Sequence, residues 1–102
     1  MRVTIIPSDG FVSVDGEGYD GIDLSFMSED INALQWYGSD GEIERKDERN
    51  RIVSNEKITD ISPYQPALDS WQVDKEIAEQ EAQEAIARIE SLETSVAPLE
   101  SN

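Results

Sequence analysis

The stretch ITDISPYQPALDSW, Ile58–Trp71, is where this chain changes character. Ahead of Ser62-Pro63 the sequence is punctuated by glycine and shows the period of two that marks strands. Beyond it runs an Ala/Glu/Gln-rich segment with no glycine and, after Pro66, no proline until Pro98. Pro63 and Pro66 suit the start of a helix, where the missing N–H breaks no bond. A helix from about residue 66 to about residue 97 reaches roughly 45 Å at 1.5 Å per residue. The expected fold class is therefore α+β. Residues 1–61 form a β-rich head with four to six short antiparallel strands, residues 62–97 one long acidic helix, and residues 98–102 a flexible tail.

Within the head, Arg2–Ile6 and Phe11–Val14 flank the turn chemistry of Pro7–Gly10 and predict a hairpin. Asp15-Gly16 and Gly18 turn the chain again, and Tyr19 with Ile22–Leu24 supplies the third strand of a meander. Ser28 offers an N-cap to a short helical turn. Ala33–Tyr37 and Glu42–Glu44 flank Gly38–Gly41 as a second hairpin, whose aromatic strand is the best candidate for the centre of the sheet. The charged run from Arg45 to Lys57 holds five of the eight basic residues and reads as an exposed loop, with Lys57–Ile61 as a last short strand.

A chain of 102 residues, 37% of them hydrophobic, has room for one modest core, and with a long helix besides, that core must be small or shared with another chain. It contains neither Cys nor His, which removes disulfides, thiol nucleophiles, imidazole acid–base chemistry and the usual zinc ligands together. No apolar run approaches the ~18 residues of a membrane span, and MRVTIIP lacks the pattern of a signal peptide, so a soluble, non-membrane protein is expected. The formal charge of −15 is spread along the chain, with 14 acids against 6 bases in residues 1–60 and 9 against 2 in residues 61–102. Such a surface repels phosphate backbones, so direct nucleic-acid binding is not expected, whereas basic protein surfaces are attracted.

No catalytic or metal constellation is expected, and the chain is read as a non-enzyme without cofactors. Asp15, Glu17, Asp20 and Asp23 invite a calcium reading, but the glycines at 16, 18 and 21 do not follow an EF-hand register and no bidentate glutamate follows. Solvated carboxylates at a turn are the simpler account. Glu42 and Glu44 lie on one strand face, yet no pocket-sized fold surrounds them to raise one pKa for glycosidic chemistry.

The candidate interface comprises Trp36, Tyr37, Leu68, Trp71, Ala78, Ala82, Ala85, Ile89 and Leu92. Along the helix, Leu68, Lys75, Ala82, Ile89 and Val96 occupy one heptad position and Trp71, Ala78, Ala85 and Leu92 the other, a coiled-coil seam whose alanines bury little area. Homo-oligomerisation through this helix, packing against another protein, and a solvated tail all fit it. Leu68, Trp71 and Val73 also lie near enough to the sheet to pack on it. Trp36 and Trp71 read more simply as core than as a platform, while Tyr37, on the other strand face, is the surface contact.

The segments IIPSDGFVSVDG, GIDLSF, NALQWYGSDGEIE and ITDISPYQPALDSW resemble a group of small tailed-bacteriophage proteins of the tail-fibre-associated, tail-fibre assembly type, over about residues 1–73. The resemblance contains no catalytic signature. Asn32 stands beside Ala33-Leu34 where such sequences are expected to carry histidine, and the acidic helix after Val73 is not a strong part of the pattern. It implies binding to a phage tail-fibre or tail-tip protein, as an assembly factor (chaperone) or small structural component, in the host cytoplasm during infection or in the virion tail. An acidic DNA mimic that inhibits a host defence nuclease or CRISPR complex is the alternative that the charge allows.

Overall fold

The structure is a computed structural model. It covers the backbone of residues 1–100 and the side chains of residues 1–89. Six strands form one antiparallel sheet: β1 (Val3–Ile6), β2 (Phe11–Val14), β3 (Glu17–Tyr19), β4 (Ile31–Trp36), β5 (Gly41–Lys46) and β6 (Ile52–Ile58), in the spatial order β3-β2-β1-β4-β5-β6. A single 3₁₀ turn at Ser62–Tyr64 leads into α1 (Gln65–Glu100). The α+β class is as the sequence indicates, and the aromatic strand β4 is central. The helix runs through residues 98–100, whereas residues 101–102, the end of the expected flexible tail, lie outside the described residues.

Strand alternation divides the sheet into two faces. Val3, Ile5, Val12, Val14, Leu34, Trp36 and Ile43 point to one side and are buried, in register across the pairs Val3–Trp36, Ile5–Leu34 and Leu34–Ile43. Ile22, Leu24 and Met27 of the connection between β3 and β4, together with Ala67, Leu68 and Trp71 of α1, close this core. The opposite face carries Thr4, Ser13, Gln35, Glu42 and Glu44, half-buried and uncovered. There Thr4 Oγ1 donates to Gln35 Oε1 at 2.8 Å and Asn32 Nδ2 to Glu44 Oε1 at 2.7 Å. Also on this face, the Phe11 ring lies across Gly18. A Cβ at Gly18 would come within 2.6 Å of the ring, so the missing side chain is what lets the aromatic cover the edge strand.

Three local expectations are corrected. The run from Arg45 to Lys57 is not a loop: β5 and β6 form a hairpin whose turn occupies only residues 47–51. In that turn Asp47 Oδ1 accepts the N–H groups of Arg49 (2.9 Å) and Arg51 (3.0 Å), and Asn50 takes φ +62°. Arg45 is fixed in the sheet by ion pairs to Asp30 (2.9 Å) and Glu56 (2.7 Å), so charges that read as loop signals are cross-strand pairs. Second, Ile22–Leu24 is not a strand. Its period of two is that of extended chain with both apolar side chains in the core, held by the Ile22 N–H on Gly10 O (2.9 Å) rather than by a ladder. Third, Ser28–Ile31 is a turn closed by Ile31 N–H on Ser28 O (3.1 Å), leading into β4 instead of a helix.

The start of the helix is prepared by Asp60, whose carboxylate accepts the Ser62 N–H (2.9 Å) and hydroxyl (2.8 Å). These bonds hold the Asp60 carboxyl below the usual range, the backbone bond being the larger cause. Pro63 stands in the first positions of the 3₁₀ turn. Helix α1 packs on β2 and β3. At 36 residues it spans roughly 54 Å, and the molecule measures 72 × 30 × 18 Å.

Candidate functional site: the free length of helix α1

The nine candidate interface residues fall into two sets. Trp36, Leu68 and Trp71 are buried in the core and are therefore removed from the interface. Tyr37 is exposed at the end of β4, with the Arg2 guanidinium 5.7 Å from its ring centre. Ala78 is half-buried and Ala82, Ala85 and Ile89 are exposed on α1, while the side chain of Leu92 lies outside the described residues. Tyr37 and the helix alanines thus do not form one continuous site.

The head-facing side of the helix explains this division. Leu68 and Trp71 enter the core, and the Trp71 indole donates from Nε1 to the Glu17 carbonyl at 2.8 Å. Its ring meets Tyr19 at a centroid distance of 6.2 Å and a tilt of 59°. Lys75 then places its ammonium 5.3 Å from the Trp71 ring and 4.0 Å from Glu79, closing the apolar contact with charge. From Glu79 to Ile89 every described side chain is exposed, so beyond half-buried Ala78 the seam residues Ala82, Ala85 and Ile89 continue the head-facing line of Leu68 and Trp71 in the open. Ile86 beside it is 57% exposed. Val73 and Ile77, off that line, are exposed as well, so Val73 does not pack on the sheet.

What the free helix can do is bind. Small residues permit close approach of another helix, and the flanking Asp74, Glu79 and Glu81 set an acidic border. Bonds from Gln72 to Glu76 and from Gln80 to Glu84, both at i,i+4, contribute only a few tenths of a kcal/mol each.

Of the carboxylates considered for metal or catalysis, Asp15, Glu17, Asp23 and Glu44 are engaged locally. Asp15 Oδ1 accepts the Arg2 N–H at 2.8 Å, the Glu17 carboxylate accepts the Tyr19 hydroxyl, and Asp23 Oδ1 accepts the Ser25 N–H at 3.0 Å. Among the described residues no group of three or more potential ligands is placed to hold a metal ion. No described helix is long and apolar enough to cross a membrane. The grooves beside Gly21–Asp23, Asp69 and Val73, and beside Pro7–Gly10, Leu24 and Met27, are open to solvent.

Compared with known proteins, the chain matches no family model, no curated protein and no solved structure.

Proposed function

We propose that this chain is a protein-binding module of a phage tail, docking on a tail-fibre or tail-tip protein as an assembly factor or small structural component. The observation that carries the binding role is that α1 leaves the head after Ala78 and continues to Glu100, with its seam residues Ala82, Ala85 and Ile89 exposed. An Ala/Glu-rich helix standing off its own fold gains no burial and is marginal alone, so a partner that covers the seam supplies what the head does not. The phage context rests on the resemblance of residues 1–73.

A second reading has its own observation: α1 holds nine acids against two bases, an extended array of carboxylates that fits a DNA-binding groove. The readings differ in salt dependence, because seam burial survives ionic strength and charge mimicry does not. The test is capture by the tagged chain from phage-infected cells, washed at low and at high salt. A tail-fibre or tail-tip protein retained at high salt by the native chain, and lost with Ala82→Glu/Ala85→Glu, is the expected result. A host nucleic-acid-binding protein released at high salt, and still captured by that variant, overturns the assembly reading.

A further inference from the structure

Strand β6 is the outer edge of the sheet, and along it the electrostatics of the molecule change. Residues 41–58, which make the β5–β6 hairpin, hold five bases and five acids, so the rest of the chain carries the entire −15. Two copies that meet elsewhere oppose like fields, whereas two copies that meet along β6 do not.

The edge is only partly protected: it carries Glu56, Lys57 and one bulge, but it is long and free of proline. Natural edge strands are kept short or interrupted by proline, bulges or charge. The opposite edge, β3, has three residues, while β6 has seven, no proline, and Ile52 and Val53 exposed at 51% and 60%. Its single irregularity is the bulge at Val53, where the pairing steps from Arg45–Ser54 to Lys46–Ile52.

The ladder fixes which groups face outward. Tyr37 donates to Asp40 O and Lys46 to Asp30 O, both at 2.8 Å on the β4 side. Antiparallel alternation then turns Gly41, Ile43 and Arg45 toward β6, and their partners Ile58, Glu56 and Ser54 toward β5. The N–H and C=O of Asn55 and Lys57 therefore point away from the sheet.

We propose that a second copy of this chain pairs antiparallel along β6, about a two-fold axis through Asn55. That axis stands perpendicular to the sheet, so residues that face each other lie on the same sheet face. With Asn55 on the axis, Ser54 faces Glu56, Val53 faces Lys57 and Ile52 faces Ile58 of the second copy, and no like charges are opposed. The neighbouring same-face registers set Glu56 against Glu56, or Arg51 against Lys57. Glu56 is already neutralised by Arg45 at 2.7 Å. One sheet then runs through both copies, with the two α1 helices at its far ends on β2 and β3. Their seams stay available, so this pairing is independent of the partner-binding role.

The chain has no cysteine, so an introduced one reports the register directly. Asn55→Cys brings two sulfurs together across a directly facing pair, whose Cα separation of about 5.5 Å suits a disulfide. Lys57→Cys leaves its two copies four residues apart along the strands, roughly 14 Å. Under the same mild oxidation, Asn55→Cys should give covalent dimer several-fold faster than Lys57→Cys. Sedimentation of the native chain should show a mass rising from 11.4 kDa toward twice that value with concentration. Asn55→Pro, which removes an outward N–H that the isolated head does not use, should stay at the single-chain mass. The proposal is overturned by the native chain remaining at 11.4 kDa up to about 1 mM, the Kd range of the weakest specific contacts. It is equally overturned by a dimer in which the two cysteine variants cross-link alike, or in which Asn55→Cys does not cross-link, as pairing through α1 would give. Should Asn55→Pro fail to fold, the contrast between the cysteine variants still decides.

Discussion

The indole N–H of Trp71 donates to the backbone carbonyl of Glu17 at 2.8 Å, tying the first turns of α1 to edge strand β3 across 54 positions of sequence. Trp71 is 7% exposed and stacks obliquely on Tyr19, so one side chain supplies apolar burial, an aromatic contact and a polar anchor. Trp71→Phe keeps most of the burial and removes the bond; a loss of about 1 kcal/mol is expected. Trp71→Ala also opens a cavity and should cost about 3–5 kcal/mol. Denaturant unfolding followed by circular dichroism checks both, and an alanine variant as stable as the phenylalanine one would show that the helix is anchored elsewhere.

Alkaline titration tests the same corner of the molecule. The Tyr19 hydroxyl bonds to the Glu17 carboxylate, and this bond, followed by desolvation and the negative charge of Glu17, pushes the phenol from 10.0 up to about 12. Up to pH 10 both folded and unfolded chains hold the proton and the contribution to stability is complete. Between 10 and 12 the unfolded chain releases it first, so stability falls as pH rises through that window. Tyrosinate absorbance should show a late-titrating phenol that disappears in Tyr19→Phe and returns toward 10 in Glu17→Gln.

Asp47 organises the β5–β6 turn. Its carboxylate accepts the backbone N–H groups of Arg51 and Arg49 and the Arg51 Nε at 2.8 Å, which holds its pKa below the usual value, the Arg51 backbone bond contributing most. Asp47→Ala leaves these donors to water and should destabilise the hairpin by about 1–2 kcal/mol. Amide exchange in β6 should quicken while that in β1 and β2 is unchanged; equal acceleration everywhere would mean that the hairpin does not open separately.

The sequence was legible where local chemistry and tertiary role agree. Pro7–Gly10 and Gly38–Gly41 sit between alternating runs, and both hairpins are present. The Ser62-Pro63 junction and the glycine-free run beyond it mark the helix within a few residues. It was illegible where one pattern has two causes. Ile22 and Leu24 alternate because extended chain buries both in the core, not because a strand pairs there. Arg45 and its neighbours look like loop until Asp30 and Glu56, distant in sequence, are brought beside Arg45. At the candidate interface, heptad spacing places Leu68 and Trp71 on the same line as Ala78, Ala82 and Ala85. Spacing alone could not tell where along that line the sheet stops.

That boundary, reached by Ala78, separates the determinants of folding from those of binding. Ala82 and Ala85 touch nothing in the head and are exposed, so Ala82→Glu/Ala85→Glu should change head stability by no more than about 0.5 kcal/mol. The same pair of changes places carboxylates in the middle of the seam, where a covering helix would have to desolvate them at a cost of several kcal/mol. Loss of partner capture with an unchanged denaturation midpoint is therefore expected. The sign also distinguishes mechanism, because added negative charge should strengthen, not weaken, any association driven only by attraction to a basic groove. A variant that unfolds with the head, or that binds more tightly than the native chain at low salt, would place the binding surface outside the seam.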